Sequence, residues 1–247
     1  MRTLLLGSLL ASQGWGGGPP ALPEISILTE FDSATFPASW QGGEVRGAGV
    51  SLAPSEKDRS LGVLRKAFAK YPEGFLDRDL KRVFVLRRIS FYGLDYGGTN
   101  SLDTVYVTND GESNGYTDEF LEGAFHHEFS SILLRNHIGE FDLSAWRQAN
   151  PPGFKYGNGG TEALRSGKAS TKPSDETMAI GFVSQYSQAS YEEDFNMVAE
   201  SLFMGPKSFW SAVDRHPVLA KKVRLAISFY GKLDSTYTEA HFRSLAE

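Results

Sequence analysis

The chain contains no cysteine, which removes disulfides, thiolate zinc centres, iron–sulfur clusters and cysteine nucleophiles together. Any metal is left to His, Asp and Glu. Nor is there an excess of positive charge: 25 Lys and Arg against 30 Asp and Glu give a formal net charge of −5, the wrong sign for a protein that grips nucleic-acid phosphates. No stretch reaches the roughly 18 to 20 consecutive apolar residues that cross a bilayer, so no membrane span is expected. Histidine is scarce, with His126, His127, His137, His216 and His241 the full set, so their positions carry weight. What is abundant is apolar surface: 40% hydrophobic and 13% aromatic residues are enough to offset the ordering entropy of a globular core, and the length fits one such core.

Residues 1–11 hold one basic residue, Arg2, followed by Leu4, Leu5, Leu6, Leu9 and Leu10, and residues 12–23 are rich in Gly and Pro. This reads as a short secretory signal and a linker, which predicts a secreted, periplasmic or cell-surface protein with a single domain over residues 24–247. Alternation of apolar residues predicts strands at 24–31, 81–92 and 104–108, with a loop at 32–55 and a Gly-rich turn at 93–100. Helical spacing predicts helices at 57–70, 118–135, 192–203, 206–214 and 217–230, with a weak last one near the end of the chain. Residues 150–177 show little apolar periodicity, as expected of a lid, a binding loop or a mobile segment. Strands early and helices late give an α+β class.

The longest predicted helix carries the string FHHEFSSILLRNH at residues 125–137. Two residues four apart on a helix share a face, which is why zinc peptidases use His-Glu-x-x-His: two imidazoles meet one ion and the glutamate activates the water on it. His127 and Glu128 occupy the first two places, and Ser131 stands where the second histidine would be. Further on, Ser190 and Glu193 have the spacing of a capping box, in which the glutamate returns to the backbone of the cap residue. A sharper reading makes Glu193 a metal ligand supplied by a second helix. Local capping does not account for Tyr186.

The strings HHEF at 126–129, GFVSQY at 181–186 and EEDF at 192–195, with YPEGFL at 71–76 in support, resemble the secreted bacterial zinc metallopeptidases related to the catalytic domain of anthrax toxin lethal factor. In that family the helix reads His-His-Glu-Phe-Ala-His, and a later segment reads Gly-Phe-Val-Ser, then Tyr, then Glu-Asp-Phe-Ala-Glu. The resemblance implies a zincin-like fold with a small mixed β-sheet, an active-site helix and a mainly helical C-terminal part. It implies zinc as cofactor and a peptide or protein as substrate. His127 and Glu193 would be zinc ligands, Glu128 the general base, and Tyr186 a hydrogen-bond donor to the oxyanion. The family's second histidine falls on Ser131 and its later glutamate on Met197.

A serine hydroxyl is a poor zinc ligand beside an imidazole, and catalytic zinc takes three protein ligands. Three outcomes stay open: zinc binding is weakened or lost; His126 substitutes, although it lies about 100° around the helix from His127; or His137 serves at metzincin spacing, without the rest of that pattern. The two functions that follow are zinc-dependent hydrolysis of a peptide bond, with a degraded metal site, and a pseudopeptidase whose cleft binds a peptide or glycan.

Overall fold

The computed structural model describes residues 25–246; the expected export signal and linker lie outside them. Strands run over β1 (Ser26–Leu28), β2 (Ala48–Ser51), β3 (Arg82–Phe91), β4 (Leu94–Tyr96), β5 (Gly98–Asn100) and β6 (Thr104–Thr108). Helices run over α1 (Ala38–Gln41), α2 (Lys57–Phe68), α3 (Asp118–Asn136), α4 (Leu143–Gln148), α5 (Gly160–Arg165), α6 (Asp175–Ala179), α7 (Tyr191–Met204), α8 (Lys207–Arg215), α9 (Pro217–Leu233) and α10 (Glu239–Ser244). The expected α+β class, with a mixed sheet and a mainly helical second half, is what forms.

The long β3 is the spine of the sheet. It runs parallel to β1 and β6 and antiparallel to β2 and β4, while β5 pairs antiparallel with β6 and forms an edge. Alternation along the strands separates two cores. Val83, Val85, Val105 and Val107 face the helices, and Phe84 and Tyr106 face an aromatic cluster with Phe36 and Phe91. Helix α3 begins at Thr117, whose hydroxyl accepts the Phe120 N–H at 3.2 Å. The apolar stripe of Leu121, Phe125, Phe129, Ile132 and Leu133 is buried, but so is much of the rest of its circumference, because the sheet, α2 and α7 surround it.

Three strands escape the sequence pattern. β2 lies in the expected loop and β4 and β5 in the expected Gly-rich turn; each is three or four residues long, too short to show a period of two. Residues 150–177 are not structureless either. α5 falls within them and α6 begins there, and backbone bonds from Gly157 to Gln188 (3.0 Å), Gly159 to Ala189 (2.9 Å) and Tyr186 to Ser170 (3.0 Å) fix the segment against the loop before α7.

The same segment is anchored from beneath by charge. The Tyr156 hydroxyl donates to Asp194 at 2.6 Å, as do Trp146 Nε1 at 3.0 Å and Lys222 Nζ at 2.7 Å, with Lys222 also over the Phe182 ring at 3.7 Å. Asp194 and Lys222 are fully buried. Burial pushes the Asp194 carboxyl up to about 6, against the pull of Lys222, and pulls the Lys222 ammonium down. Removing one partner of such a pair leaves an uncompensated buried charge, so Lys222→Met should cost about 3–5 kcal/mol in urea unfolding. Asp194→Asn combined with Lys222→Met should recover much of that loss, and equal losses in the single and double variants would contradict this account.

Candidate functional site

Helices α3 and α7 face each other along a polar seam. On α7, Glu193, Asn196 and Glu200 follow one another at intervals of three and four residues, and on α3 Ser130 and Ser131 stand three and four residues after His127, so each set lies on one side of its helix. His127 Nε2 lies 3.0 Å from Glu193 Oε2 and its Nδ1 lies 3.2 Å from Glu200 Oε2, a carboxylate on each ring nitrogen. The Tyr186 hydroxyl donates to Glu193 Oε1 at 2.9 Å. Gly123 makes room for the second of these acids: a Cβ there would stand 3.0 Å from Glu200 Oε1.

Half of the capping box is present. Ser190 Oγ accepts the Glu193 N–H at 3.1 Å, but the Glu193 carboxylate is committed to His127 and Tyr186 instead of the cap backbone. His127, Glu193 and Tyr186 are therefore joined by direct bonds, and Glu128 lines the same cleft as His127 and Tyr186. Glu200 has no counterpart in the sequence reading. Its signal was available, because a residue seven after Glu193 returns to the same helix face. Met197, where the family pattern carries its later glutamate, is buried in the apolar core.

The other histidines point elsewhere. His126 lies on the far side of α3, where its Nδ1 meets the Tyr71 hydroxyl at 2.7 Å and its ring stacks on Phe203 at 4.8 Å. Burial holds its pKa below the ordinary imidazole value. The YPEGFL string thus supplies the partner that fixes the first of the paired histidines. His137 bonds Asp79 at 2.9 Å and His216 bonds Asp175 at 3.0 Å.

Burial alone would strip His127 of its charge. The hydrogen bonds to Glu193 and Glu200 outweigh that penalty and raise its pKa well above the usual imidazole range, so the ring is an imidazolium clamped between two carboxylates. Glu128 points away from this clamp toward the sheet edge. Asn100 Nδ2 donates to its Oε2 at 2.8 Å, and a Cβ on Gly98 would fall 2.8 Å from its Oε1, so the glycine lets the carboxylate lie against β5. Burial, helped by the negative charges of Glu193 and Glu192, pushes Glu128 up to about 7 against the pull of His127 and Asn100. A cleft of about 270 Å³ opens here, lined by Tyr96, Gly98, Phe120, His127, Glu128 and Tyr186 among others.

The edge above Glu128 is open. The bonds Thr108 N–H to Gly97 O and Ser101 N–H to Thr104 O, both 2.9 Å, fix which residues of β5 bond to β6. By the alternation of an antiparallel ladder, Thr99 turns its backbone groups inward and Gly98 and Asn100 turn theirs outward. No strand pairs with that side among the described residues.

Whether these residues suit a zinc ion is decided by their donor atoms. A zinc centre of the peptidase type needs three protein donors around one point. His127 Nε2 and Glu193 can supply two, but Glu200 sits behind the ring on Nδ1. Ser131 is taken: Asn196 Nδ2 donates to its Oγ at 2.6 Å, while Asn196 Oδ1 accepts from Ser130 Oγ at 2.6 Å. Among the described residues no group of three or more His, Asp or Glu side chains is disposed to hold a metal ion. The donor set falls one short of a three-ligand zinc site.

No family model matches the chain, and no curated protein matches it. Among solved structures it is similar to a putative zinc-binding metallo-peptidase from Bacteroides caccae, with a TM-score of 0.52 and 15% identity over 90% of this chain and 84% of that one. The chain thus has a metallopeptidase-like, zincin-like fold.

The position of Glu128 has a pH signature in the metal-free protein. Between about 4.5 and 7 the folded chain keeps a proton on Glu128 that the unfolded chain has released, so the stability this group contributes is full at low pH and is lost as pH rises through 7. Glu128→Gln removes that loss. In thermal unfolding it should be the more stable form at pH 8, by on the order of 1–3 kcal/mol, and indistinguishable from the parent at pH 4. A variant less stable than the parent at pH 8 would contradict the burial argument.

Proposed function

We propose that this protein binds an extended peptide segment as an added strand on the open edge of β5, with the segment lying over Glu128 and the His127 clamp. Main-chain bonds to a free sheet edge are a recurring way of holding a peptide whatever its sequence. A formal charge of −5 on the chain and a cleft lined by aromatic, glycine and acidic residues suit a polypeptide and not a phosphate backbone. We read the protein as a pseudopeptidase, in which a metallopeptidase-like fold holds a peptide without hydrolysing it through a metal-bound water. One observation carries this: Ser131, at the place of the second zinc histidine, has its hydroxyl committed to Asn196, so the centre lacks a third donor.

The reading as a zinc-dependent peptidase keeps support from the convergence of His127, Glu193 and Tyr186 and from the name of its structural neighbour. Kinship with the lethal-factor type of peptidase and the replacement of its second histidine by Ser131 belong to this reading of the short strings. In it His127 and Glu193 would hold the ion, which would supply Lewis acidity and a reactive water. Glu128 would take a proton at its carboxylate, and Tyr186 would donate from its hydroxyl.

Zinc analysis and peptide binding separate the two. The parent, dialysed at neutral pH with equimolar zinc, should retain well under one ion per chain and leave unfolded casein intact. Addition of an unstructured peptide should slow hydrogen exchange at the Gly98 and Asn100 amides. The double variant Ser131→His with Asn196→Ala, which supplies the missing imidazole and clears the side chain bonded to Ser131, should gain zinc. Stoichiometric zinc in the parent with cleavage abolished by a chelator would overturn the pseudopeptidase assignment.

A further inference from the structure

On the face of the sheet opposite α3, a second pocket of about 330 Å³ opens beside the same edge strand, lined by Trp40, Val45, Phe91, Tyr92, Tyr96 and Thr99 among others. It is not a continuation of the packed core, for all but Phe91 of these side chains keep partial exposure. Tyr96 borders this pocket and the cleft alike, and its hydroxyl lies 2.9 Å from that of Thr161 on α5. The two pockets are therefore neighbours, divided by β5.

The register of β5 says what reaches each of them. Gly98 pairs with Val107 and Asn100 with Val105, on the helix side of the sheet, whereas Thr99 pairs with Tyr106, on the aromatic side. A strand added to this edge continues the pleat, so its successive side chains fall alternately on the two faces. One points toward Glu128, and the next points past Thr99 into the aromatic pocket.

The rim of that pocket carries an unusual residue. Tyr92 and Gly93 have φ of +56° and +76° and form the two-residue turn between β3 and β4. Such a turn suits Asn-Gly, and a tyrosine in its first position is strained. The strain is held by the Tyr92 N–H bond to Val45 O at 2.7 Å and by Arg165, whose guanidinium lies 5.4 Å from the ring centre. The turn does not need the ring; the pocket does.

We infer that this pocket is a side-chain subsite which selects an aromatic residue in the peptide bound along β5. The inference rests on the strand-addition reading given above. Trp40, Phe91, Tyr92 and Tyr96 offer ring edges and faces to an incoming ring, the arrangement aromatic pairs prefer. The flanking residues of the peptide face the cleft and are not selected by this pocket.

The test uses N-acetylated, C-amidated Ser/Thr hexapeptides bearing a single Phe or Ala, against the full chain and its Tyr92→Asn variant. Asparagine suits the turn, so the variant should fold at least as well as the parent. The Phe peptide should bind the parent about tenfold more tightly than the Ala peptide, the scale on which burial of one aromatic side chain acts, and that preference should fall below about threefold in Tyr92→Asn. With benzoylphenylalanine in place of Phe, photo-crosslinks should form at Trp40, Tyr92 or Tyr96. If Phe and Ala peptides bind equally, with crosslinks at Phe120 or Leu164, which line the cleft over Glu128, strand addition stands and the subsite falls. A Phe preference undiminished in Tyr92→Asn also overturns the subsite. Binding of neither peptide overturns the strand-addition reading and the subsite with it. Tyr92-dependent binding of chitohexaose in place of peptide would make the pocket a glycan surface and reject the inference.

Discussion

The register of α7 against α3 is the constraint from which the rest follows. A row of buried or half-buried polar groups, His127, Ser130 and Ser131 on one helix and Glu193, Asn196 and Glu200 on the other, must meet within hydrogen-bond distance, and does. Each such group left without a partner costs about 1–3 kcal/mol, and a slip of one helical turn, about 5.4 Å, would strand nearly all of them. Apolar packing alone would tolerate several registers, whereas the polar row admits one. That register sets Glu193 beside His127 and brings Tyr186, on the turn before α7, onto the same carboxylate.

Ser131 and Asn196 are best understood as one feature. An imidazole at position 131 would project into the space that the Asn196 amide fills, and Asn196 without Ser131 would keep a buried N–H₂ with nothing to donate to. With the pair in place the seam closes around protein partners, and the positive charge it needs is carried by the proton on His127. Two carboxylates draw that proton in, and burial makes the bare ring a poor alternative beside them. The next glutamate shows the cost of the arrangement. Glu128 is excluded from the clamp and buried beside it; burial first, and then the like charge of Glu193, push it toward the neutral form. It is left facing the sheet edge as a carboxyl that is protonated or ionised near neutral pH.

Much of this was legible in the chain, and the parts that were not share a cause. Helices α3 and α7 announced themselves by length and apolar spacing, and α7 also by the cap Ser190. His127, Glu128, Glu193 and Tyr186 were marked by strings, and the structure brings them together. Ser190 and Glu193 looked like a reciprocal cap and proved to be half of one, because a carboxylate that can reach a buried imidazolium gains more there than at an exposed N–H. Of the paired histidines, the motif marked His127 and left His126 open as a substitute; the packing of Tyr71 and Phe203 against His126 makes it structural. Glu200 obeyed a rule of helical spacing that the match to a familiar string obscured. Strand β5 gave no signal because three residues cannot display a period, yet it forms one wall of the site.

That wall also limits what the site can do. An exposed sheet edge invites pairing with any extended chain, and proteins commonly hold such edges short. Only Gly98 and Asn100 offer outward backbone groups on β5, so a partner gains at most a few main-chain hydrogen bonds there, each worth about 0.5–1.5 kcal/mol net. Backbone recognition on that scale is weak and indifferent to sequence. Useful affinity must then come from side chains on the two faces of the added strand, and the two faces differ. One presents a protonated clamp and a glutamate near its titration point; the other presents rings. A peptide that satisfies both has to alternate, with a residue tolerant of acidic surroundings next to an apolar one, and the spacing is dictated by the pleat of a strand only three residues long.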